Sequence, residues 1–349
     1  MNDQPAFCAV VVSYNRKLLL TQCLESLMKQ SKPLDAVFVI DNASTDGTSD
    51  MLQSKGYIKG YSSEMNDNSW EKESVLENST NGEKIKLHYI RMEKNTGGAG
   101  GFHEGVKRAY ETGYDWLWLM DDDAVPEESA LENLCKYCKE ENVSVLACVV
   151  KDVNGEIQLH HRGYLNFENV FPMIQKSLSE NLYSRQNLIE IDFASFVGIL
   201  IRNGAIRKIG FPKKEFFSQH DDIEYLMRLK NAGKVLLITN SVVIHKEQTI
   251  SSRINKHFLW RKSPRIPYDR FWILFFFHRN LIWLGKKYMI KRWLFYFNLF
   301  IFYLRYSIGV LLLDDNKYRR IKLITYAYLD GLIDRFDNTR PGKILYDKS

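Results

Sequence analysis

Three consecutive aspartates, Asp121, Asp122 and Asp123, follow directly on the apolar run Trp116 to Met120. Carboxylates this concentrated exceed what one surface salt bridge neutralises. Hard oxygen donors on alternate positions are what a divalent cation bound to a diphosphate demands. On an extended segment Asp121 and Asp123 point to one side and Asp122 to the other. A solvated acidic turn or a helix N-cap would use the same residues, so the cluster gains meaning only in company. Its company is a glycine-rich stretch, NTGGAGGF, with Gly97, Gly98, Gly100 and Gly101 behind Asn95. Glycines let a backbone approach a ligand and present amides to it, although a plain turn has the same composition. No Lys-Ser/Thr follows, and the GxGxxG spacing is not kept. Farther along, FFSQHDDIEYLMRL sets His220, Asp221, Asp222 and Glu224 at a helix start, where a carboxylate aimed at a pocket is a base and one facing solvent is a cap. His245 closes the apolar run of SVVIHKE; a neutral imidazole there either ends a strand or completes a metal site begun by carboxylates.

The elements around these residues read as an α/β fold. Ala6 to Ser13 is a continuous apolar run, expected as a buried parallel strand, and Lys17 to Lys29 has helical periodicity. Ala36 to Ile40 is a second such strand, stopping at Asp41 before the turn formers of DNASTDGT. Further strands are expected at Leu87 to Arg91, Trp116 to Met120, Val143 to Val150, Phe193 to Ile201 and Val235 to Ile244, with helices at Glu104 to Thr112, Leu131 to Glu141 and Asp221 to Ala232. Gly56 to Lys84 is polar and aperiodic, and reads as an insertion or mobile loop. The rhythm predicts a Rossmann-like, mostly parallel sheet flanked by helices over residues 1–250. The acidic cluster then sits at a carboxyl strand end, where open sheets of this kind place their ligands.

Residues 251–349 differ in character. The aromatic residues concentrate in FWILFFFHRNLIWLGKKY and KRWLFYFNLFIFYLRYSIGVLLL, a C-terminal aromatic-basic helical region. About 20 apolar residues span a bilayer. Arg305 inside the longer run favours an interfacial or bundle helix instead. Lys and Arg on one face with Trp and Phe on the other suit an anionic membrane surface, while a helical cap packed on the first domain is the plainer reading. The formal net charge of +6 suits an anionic partner such as a nucleotide diphosphate or that surface. No nucleic-acid motif accompanies it, so no nucleic acid is expected. The opening residues lack the order of a secretory signal, giving an expected cytoplasmic location. Five cysteines, an odd number, argue against a disulfide framework, and Cys135 and Cys138 read as reduced helix residues.

Taken in order, VVVSYNR, VIDNASTDGT, NTGGAGGF, WLWLMDDDAVPE, HDDIEYLMRL and VVIHKE resemble the inverting family 2 glycosyltransferases of GT-A fold over about residues 6–250. Within that family they are most similar to bacterial galactofuranosyltransferases and the related rhamnosyltransferases. The resemblance implies that Ser13, Tyr14, Arg16, Asp41 and Asn42 contact the nucleotide and that Asn95, Gly97, Gly98, Gly100 and Gly101 line the diphosphate-sugar pocket. Asp121 and Asp123 match the family's DXD pair. Asp123, His245 and Asp121 would then serve a divalent metal, Mn²⁺ or Mg²⁺, with Asp121 and Asp122 also at the donor. Asp222 matches the catalytic base, and Asp221 is its neighbouring alternative. The implied activity is inverting transfer from a nucleotide sugar, UDP-galactofuranose or alternatively dTDP-rhamnose, to a growing lipid-linked bacterial surface glycan. The implied place is the inner face of the cell membrane. A catalytically silent nucleotide-sugar-binding subunit would carry the same motifs; the presence of metal ligands and base together argues against it.

Overall fold

Strands buried on both faces need apolar side chains at every position, and that is how the chain begins. In the computed structural model, which describes residues 4–60, 62, 69–168, 174–246, 254–258 and 261–347, two compact units are distinguished: Met1–Tyr164 with Ser177–Lys214 and Asp222–Glu247, and Leu165–Lys176 with Glu215–Asp221 and Gln248–Ser349. The second unit thus takes in two segments that the division at residue 250 assigns to the first.

The first unit opens with β1 (Phe7–Ser13), α1 (Lys17–Leu27), β2 (Ala36–Asp41), α2 (Thr48–Ser54), β3 (Trp70–Glu77), β4 (Lys84–Arg91) and α3 (Gly97–Thr112). It continues through β5 (Trp116–Asp121), β6 (Ala124–Pro126), α4 (Ala130–Cys135), β7 (Val143–Lys151) and β8 (Arg162–Leu165). After β9 (Gln175–Ser177), which straddles the boundary between the units, come α5 (Glu180–Arg185), β10 (Leu188–Glu190), β11 (Phe193–Ala194), β12 (Ile199–Arg202), α6 (Asn203–Ile209), α7 (Asp221–Lys230) and β13 (Lys234–His245). One ten-stranded mixed sheet runs β10-β13-β7-β12-β5-β1-β2-β4-β3, with β6 against β13. Its β5-β1-β2-β4 half is parallel, while β3, β10 and β12 pair antiparallel. Successive residues of β1 feed opposite cores: Ala9 and Val11 join one cluster, Val10 and Val12 the other. All five cysteines are free thiols.

Three expectations need correction. The polar stretch 56–84 contains β3, an edge strand pairing with β4 from Trp70↔Arg91 to Glu77↔Lys84. Only one side of an edge strand meets the core, so its alternating Lys and Glu hide it from an apolar-run reading. At the end of β3, Asn78 is buried and donates to Gln30 O at 2.9 Å. The run 193–201 is two strands in different sheets, broken by Gly198 at φ +74°, a left-handed conformation that glycine adopts freely. The glycine-rich stretch, for which composition left a plain turn open, is helical: Gly97–Gly101 forms the first turns of α3.

The second unit holds β14 (Ile254–Phe258), β15 (Arg261–Arg265), α8 (Ile273–Tyr288), α9 (Arg292–Leu313), α10 (Lys317–Leu332) and α11 (Arg340–Leu345). α8 and α10 approach closely at Gly331, where a Cβ would lie 2.7 Å from Arg279 O. Two fully buried side chains of α8, Arg279 and Asn280, point to the segment 215–220. Asn280 Nδ2 donates to the carbonyls of Phe216, Ser218 and Gln219 at 3.1, 2.8 and 2.8 Å, and Arg279 donates to those of Glu215 and Phe216. Phe217, Gln219 and His220 have φ of 63°, 70° and 63°, a left-handed run that non-glycine residues rarely adopt. Among the described residues α9 is the one helix long and apolar enough to cross a bilayer by length and composition, yet only 11% of its most apolar window is buried.

Candidate active site

β1, β2 and β5 are parallel neighbours in near-level register, so Ser13, Asp41 and Asp121 end side by side. The chain leaves β5 through a two-residue turn, Asp122 and Asp123, and returns as β6, which pairs with β13 so that His245 faces Ala124. That turn replaces the expected alternation, and Asp122 does not point away from Asp123. Ser13 Oγ donates to Asp122 Oδ2 at 2.7 Å, while one guanidinium nitrogen of Arg16 lies 3.4 Å from Asp122 Oδ1 and 3.0 Å from Asp123 Oδ2. Burial pushes the Asp122 carboxyl up to about 7; the Ser13 hydroxyl, Arg16 and the Tyr14 amide oppose it, and Asp123 adds to it. Asp121 stays partly exposed at the strand end, and Tyr14 is exposed beside Arg16.

His245 Nε2 lies 3.3 Å from Asp123 Oδ1. Its other nitrogen, Nδ1, meets Gln158 Oε1 at 3.0 Å, and His161 Nε2 meets the same oxygen at 2.9 Å. A carbonyl oxygen only accepts, so both rings carry their proton on the nitrogen facing Gln158. His161 Nδ1 then accepts from Ser195 Oγ at 2.7 Å, and Ser195 Oγ in turn accepts from Arg162. Burial holds His161 well below the ordinary histidine range, so its ring is neutral, as this order of donors requires. His245 Nε2 is thereby the ring nitrogen that faces a buried carboxylate oxygen, that of Asp123. Two acceptors at that spacing suit a shared cation, and O and N are the donors that Mn²⁺ or Mg²⁺ and their congeners take from protein. Among the described residues no group of three His, Cys, Asp or Glu could hold a metal. A cation here would take two protein donors and complete its shell from ligand and water.

Asp222 is half-buried near the start of α7, with Oδ1 accepting the Ile223 amide at 2.7 Å. Burial lifts its carboxyl to about 6, against the pull of that amide and of the Arg162 cation. A carboxylate so tuned can take up a proton close to neutral pH. Asp221 is buried, and Glu224 is occupied by a fork of contacts from Arg228. The order Asp123, His245, Gln158, His161, Ser195, Arg162 therefore leads from the acidic turn toward Asp222. The last four were missed in the sequence, where their one signal was the paired histidines of QLHHRG in a chain with eight histidines.

Several predicted donor contacts are engaged inside the protein. Asp41 is fully buried, taking the Tyr89 hydroxyl, the Arg91 guanidinium at 3.2 Å and the Ser44 amide at 2.8 Å. It shapes the turn after β2. Asn42, also buried, donates to Gly97 O at 2.8 Å and accepts from the Thr96 amide and hydroxyl at 2.9 Å; exposed Asn95 accepts the Gly97 amide at 2.8 Å. Both fix the start of α3. A Cβ on Gly101 would lie 2.5 Å from Val12 Cγ1 and one on Gly100 2.3 Å from Thr96 Oγ1, so these two glycines serve close packing. Gly98, where a Cβ would meet nothing within 4 Å, is the one open to a ligand.

An open sheet that gathers a serine, an acidic turn and a histidine at its carboxyl strand ends, beside a glycine-led helix, has the layout of a GT-A glycosyltransferase. The chain belongs to glycosyl transferase family 2, whose model matches residues 8–60 and 63–210. It is similar to the galactofuranosyltransferase GlfT1 of Mycolicibacterium smegmatis, 25% identical over 238 residues covering 67% of this chain and 68% of that protein. GlfT1 of Mycobacterium tuberculosis is 26% identical over 231 residues, 64% of each chain. The poly(ribitol-phosphate) β-N-acetylglucosaminyltransferase TarS of Staphylococcus aureus is 21% identical over 74% of this chain and 45% of its own. The chain thus spans about two thirds or less of these relatives. Among solved structures, GalNAc-T7 with UDP, GalNAc and Mn²⁺ shares the fold at a TM-score of 0.55, 13% identity and coverage of 97% and 58% of the two chains.

Proposed function

We propose that this chain transfers galactofuranose, with inversion, from UDP-galactofuranose to a hydroxyl of a growing, lipid-linked bacterial surface glycan at the inner face of the cell membrane. The observation that carries the reading is Asp222, a half-buried carboxylate held near pH 6 at a helix start, in the same unit as the Asp123–His245 pair. The similarity to GlfT1 supports the choice of donor. Asp222 takes the proton of the acceptor hydroxyl as that oxygen forms its bond to the anomeric carbon. The bond from that carbon to the diphosphate oxygen breaks on the opposite face, and the electron pair leaves with UDP. Asp123 Oδ1 and His245 Nε2 would hold a divalent cation, which when bound offsets charge on the departing diphosphate. The amides opening α3 around Gly98 lie where a helix N-terminus favours anionic oxygen. Ser13 and Arg16 keep the acidic turn in place for that approach.

The test is a turnover screen of the purified chain with Mn²⁺ or Mg²⁺ against UDP-galactofuranose, UDP-galactopyranose, UDP-glucose and dTDP-rhamnose, with Asp123→Ala alongside. Metal-dependent hydrolysis or transfer from UDP-galactofuranose alone, lost in the variant, is expected. Preference for dTDP-rhamnose would move the donor assignment, and donor binding without turnover would make the chain a silent subunit.

A further inference from the structure

α9 has two unlike faces. Phe295, Leu299 and Val310 are buried, and the Tyr303 hydroxyl meets Thr325 Oγ1 of α10 at 2.8 Å. Trp293, Phe297, Phe300, Leu304, Ile308 and Leu311 are instead between 41% and 73% exposed. At 3.6 residues per turn these six fall within an arc of about 80° along about 27 Å of helix. No charged side chain interrupts that arc. A contiguous exposed apolar stripe of this length marks a surface that meets something other than water.

We propose that the stripe inserts into the interface of an anionic lipid bilayer, with α9 lying in the membrane plane. Charge selects the occupant. Between Lys287 and Lys322 the exposed ionic residues are Lys287, Lys291, Arg292, Arg305, Lys317 and Lys322 against Asp315 alone, a frame that attracts acidic headgroups and repels a second copy of itself. Trp293 stands at one end of the stripe, in the position where aromatic side chains favour the headgroup boundary. Buried polar contacts fix the plane. At the end of α9, Asp314 is ion-paired with Arg265, whose guanidinium also comes within 3.0 Å of a Cβ built on Gly309. A spanning α9 would draw Arg305 into hydrocarbon, whereas an in-plane helix keeps it on the wet side. The inference deepens the lipid-linked acceptor reading and rests on it only for its purpose, which is to hold the chain where such an acceptor is found.

The test is flotation of the full chain with vesicles of phosphatidylethanolamine and phosphatidylglycerol, against vesicles of phosphatidylcholine alone. The wild type is expected to float with the anionic vesicles at least tenfold more than with the neutral ones and to be stripped by alkaline carbonate. Phe297→Glu/Phe300→Glu/Leu304→Glu, changed only at exposed positions, is expected to lose at least tenfold in bound fraction, and Lys291→Glu/Arg292→Glu to lose the anionic preference. Unchanged flotation of the triple variant overturns the proposal. So does resistance to carbonate, which means a span, or a dimer in light scattering that the triple variant breaks without any flotation, which means a second copy covers the stripe. Donor hydrolysis is scored separately in the same samples: its absence in the wild type counts against the transferase reading and leaves the flotation result standing.

Discussion

Asp222 combines a chemical advantage with a stability penalty. Its carboxyl is held at about 6, above the ordinary carboxylate range, by burial. As the proposed base it acts when deprotonated, so kcat/KM is expected to rise with pH through about 6 and to level above it, a profile read from initial rates between pH 5 and 8. The sign for stability is opposite. The unfolded chain releases this proton more readily, so the folded state loses stability as pH climbs from the ordinary carboxylate value through 6. Asp222→Asn keeps an acceptor for the Ile223 amide and removes the charge. It is expected to lower kcat by about 10²–10⁴ while melting no lower than wild type at pH 8, by calorimetry. Gln158 offers a second test at this scale. Gln158→Leu frees the His245 tautomer, and loss of such a support weakens metal affinity by about 10–100-fold. Mn²⁺ titration by electron paramagnetic resonance, with His245→Ala as the limit, reads that directly. Ser13, Asp123, Asp222 and His245 stand out in the sequence because each lies at or beside the end of an element within a short motif. Gln158, His161, Arg162 and Ser195 do not, because their roles arise from contacts among segments far apart in the chain.

At the scale of elements, apolar runs announced β1, β2, β5, β7 and β13 because those strands are buried on both faces. β3 is hidden by its exposed side, and the glycines of α3 leave a turn and a ligand-binding backbone equally open because composition alone does not separate a flexible turn from a helix pressed against a sheet. Gly105 settles which force acts in α3: a Cβ there would lie 2.3 Å from Val10 Cγ1 and 3.0 Å from Ile40 Cγ1. Alanine ordinarily stabilises a helix interior by about 1 kcal/mol over glycine. Overpacking of a core costs about 1–3 kcal/mol and is expected to win. Gly105→Ala should therefore lower the melting temperature by several degrees, whereas Gly98→Ala, facing open space, should leave it unchanged or raised while weakening donor binding.

The whole molecule explains a segment that no motif announced. Three left-handed residues in the stretch 217–220 cost on the order of 1–3 kcal/mol each, and the stretch leads directly into α7 and Asp222. Five hydrogen bonds from Arg279 and Asn280 offset that cost. Asn280→Leu leaves three carbonyls without that donor. It is expected to lower kcat at least tenfold while Mn²⁺ binding by Asp123 and His245 is retained, a split that simple unfolding would not give. An α8 read from its aromatic residues alone suggests a membrane element or a cap; its two buried polar residues give it a second task. There is a consequence for the order in which the protein is made. The ribosome completes the sheet, the acidic turn and His245 before it reaches Asn280, so a growing chain acquires these residues before the helix that buttresses the segment leading into Asp222. On the proposed function, copies stalled before Asn280 would hold nucleotide sugar without consuming it.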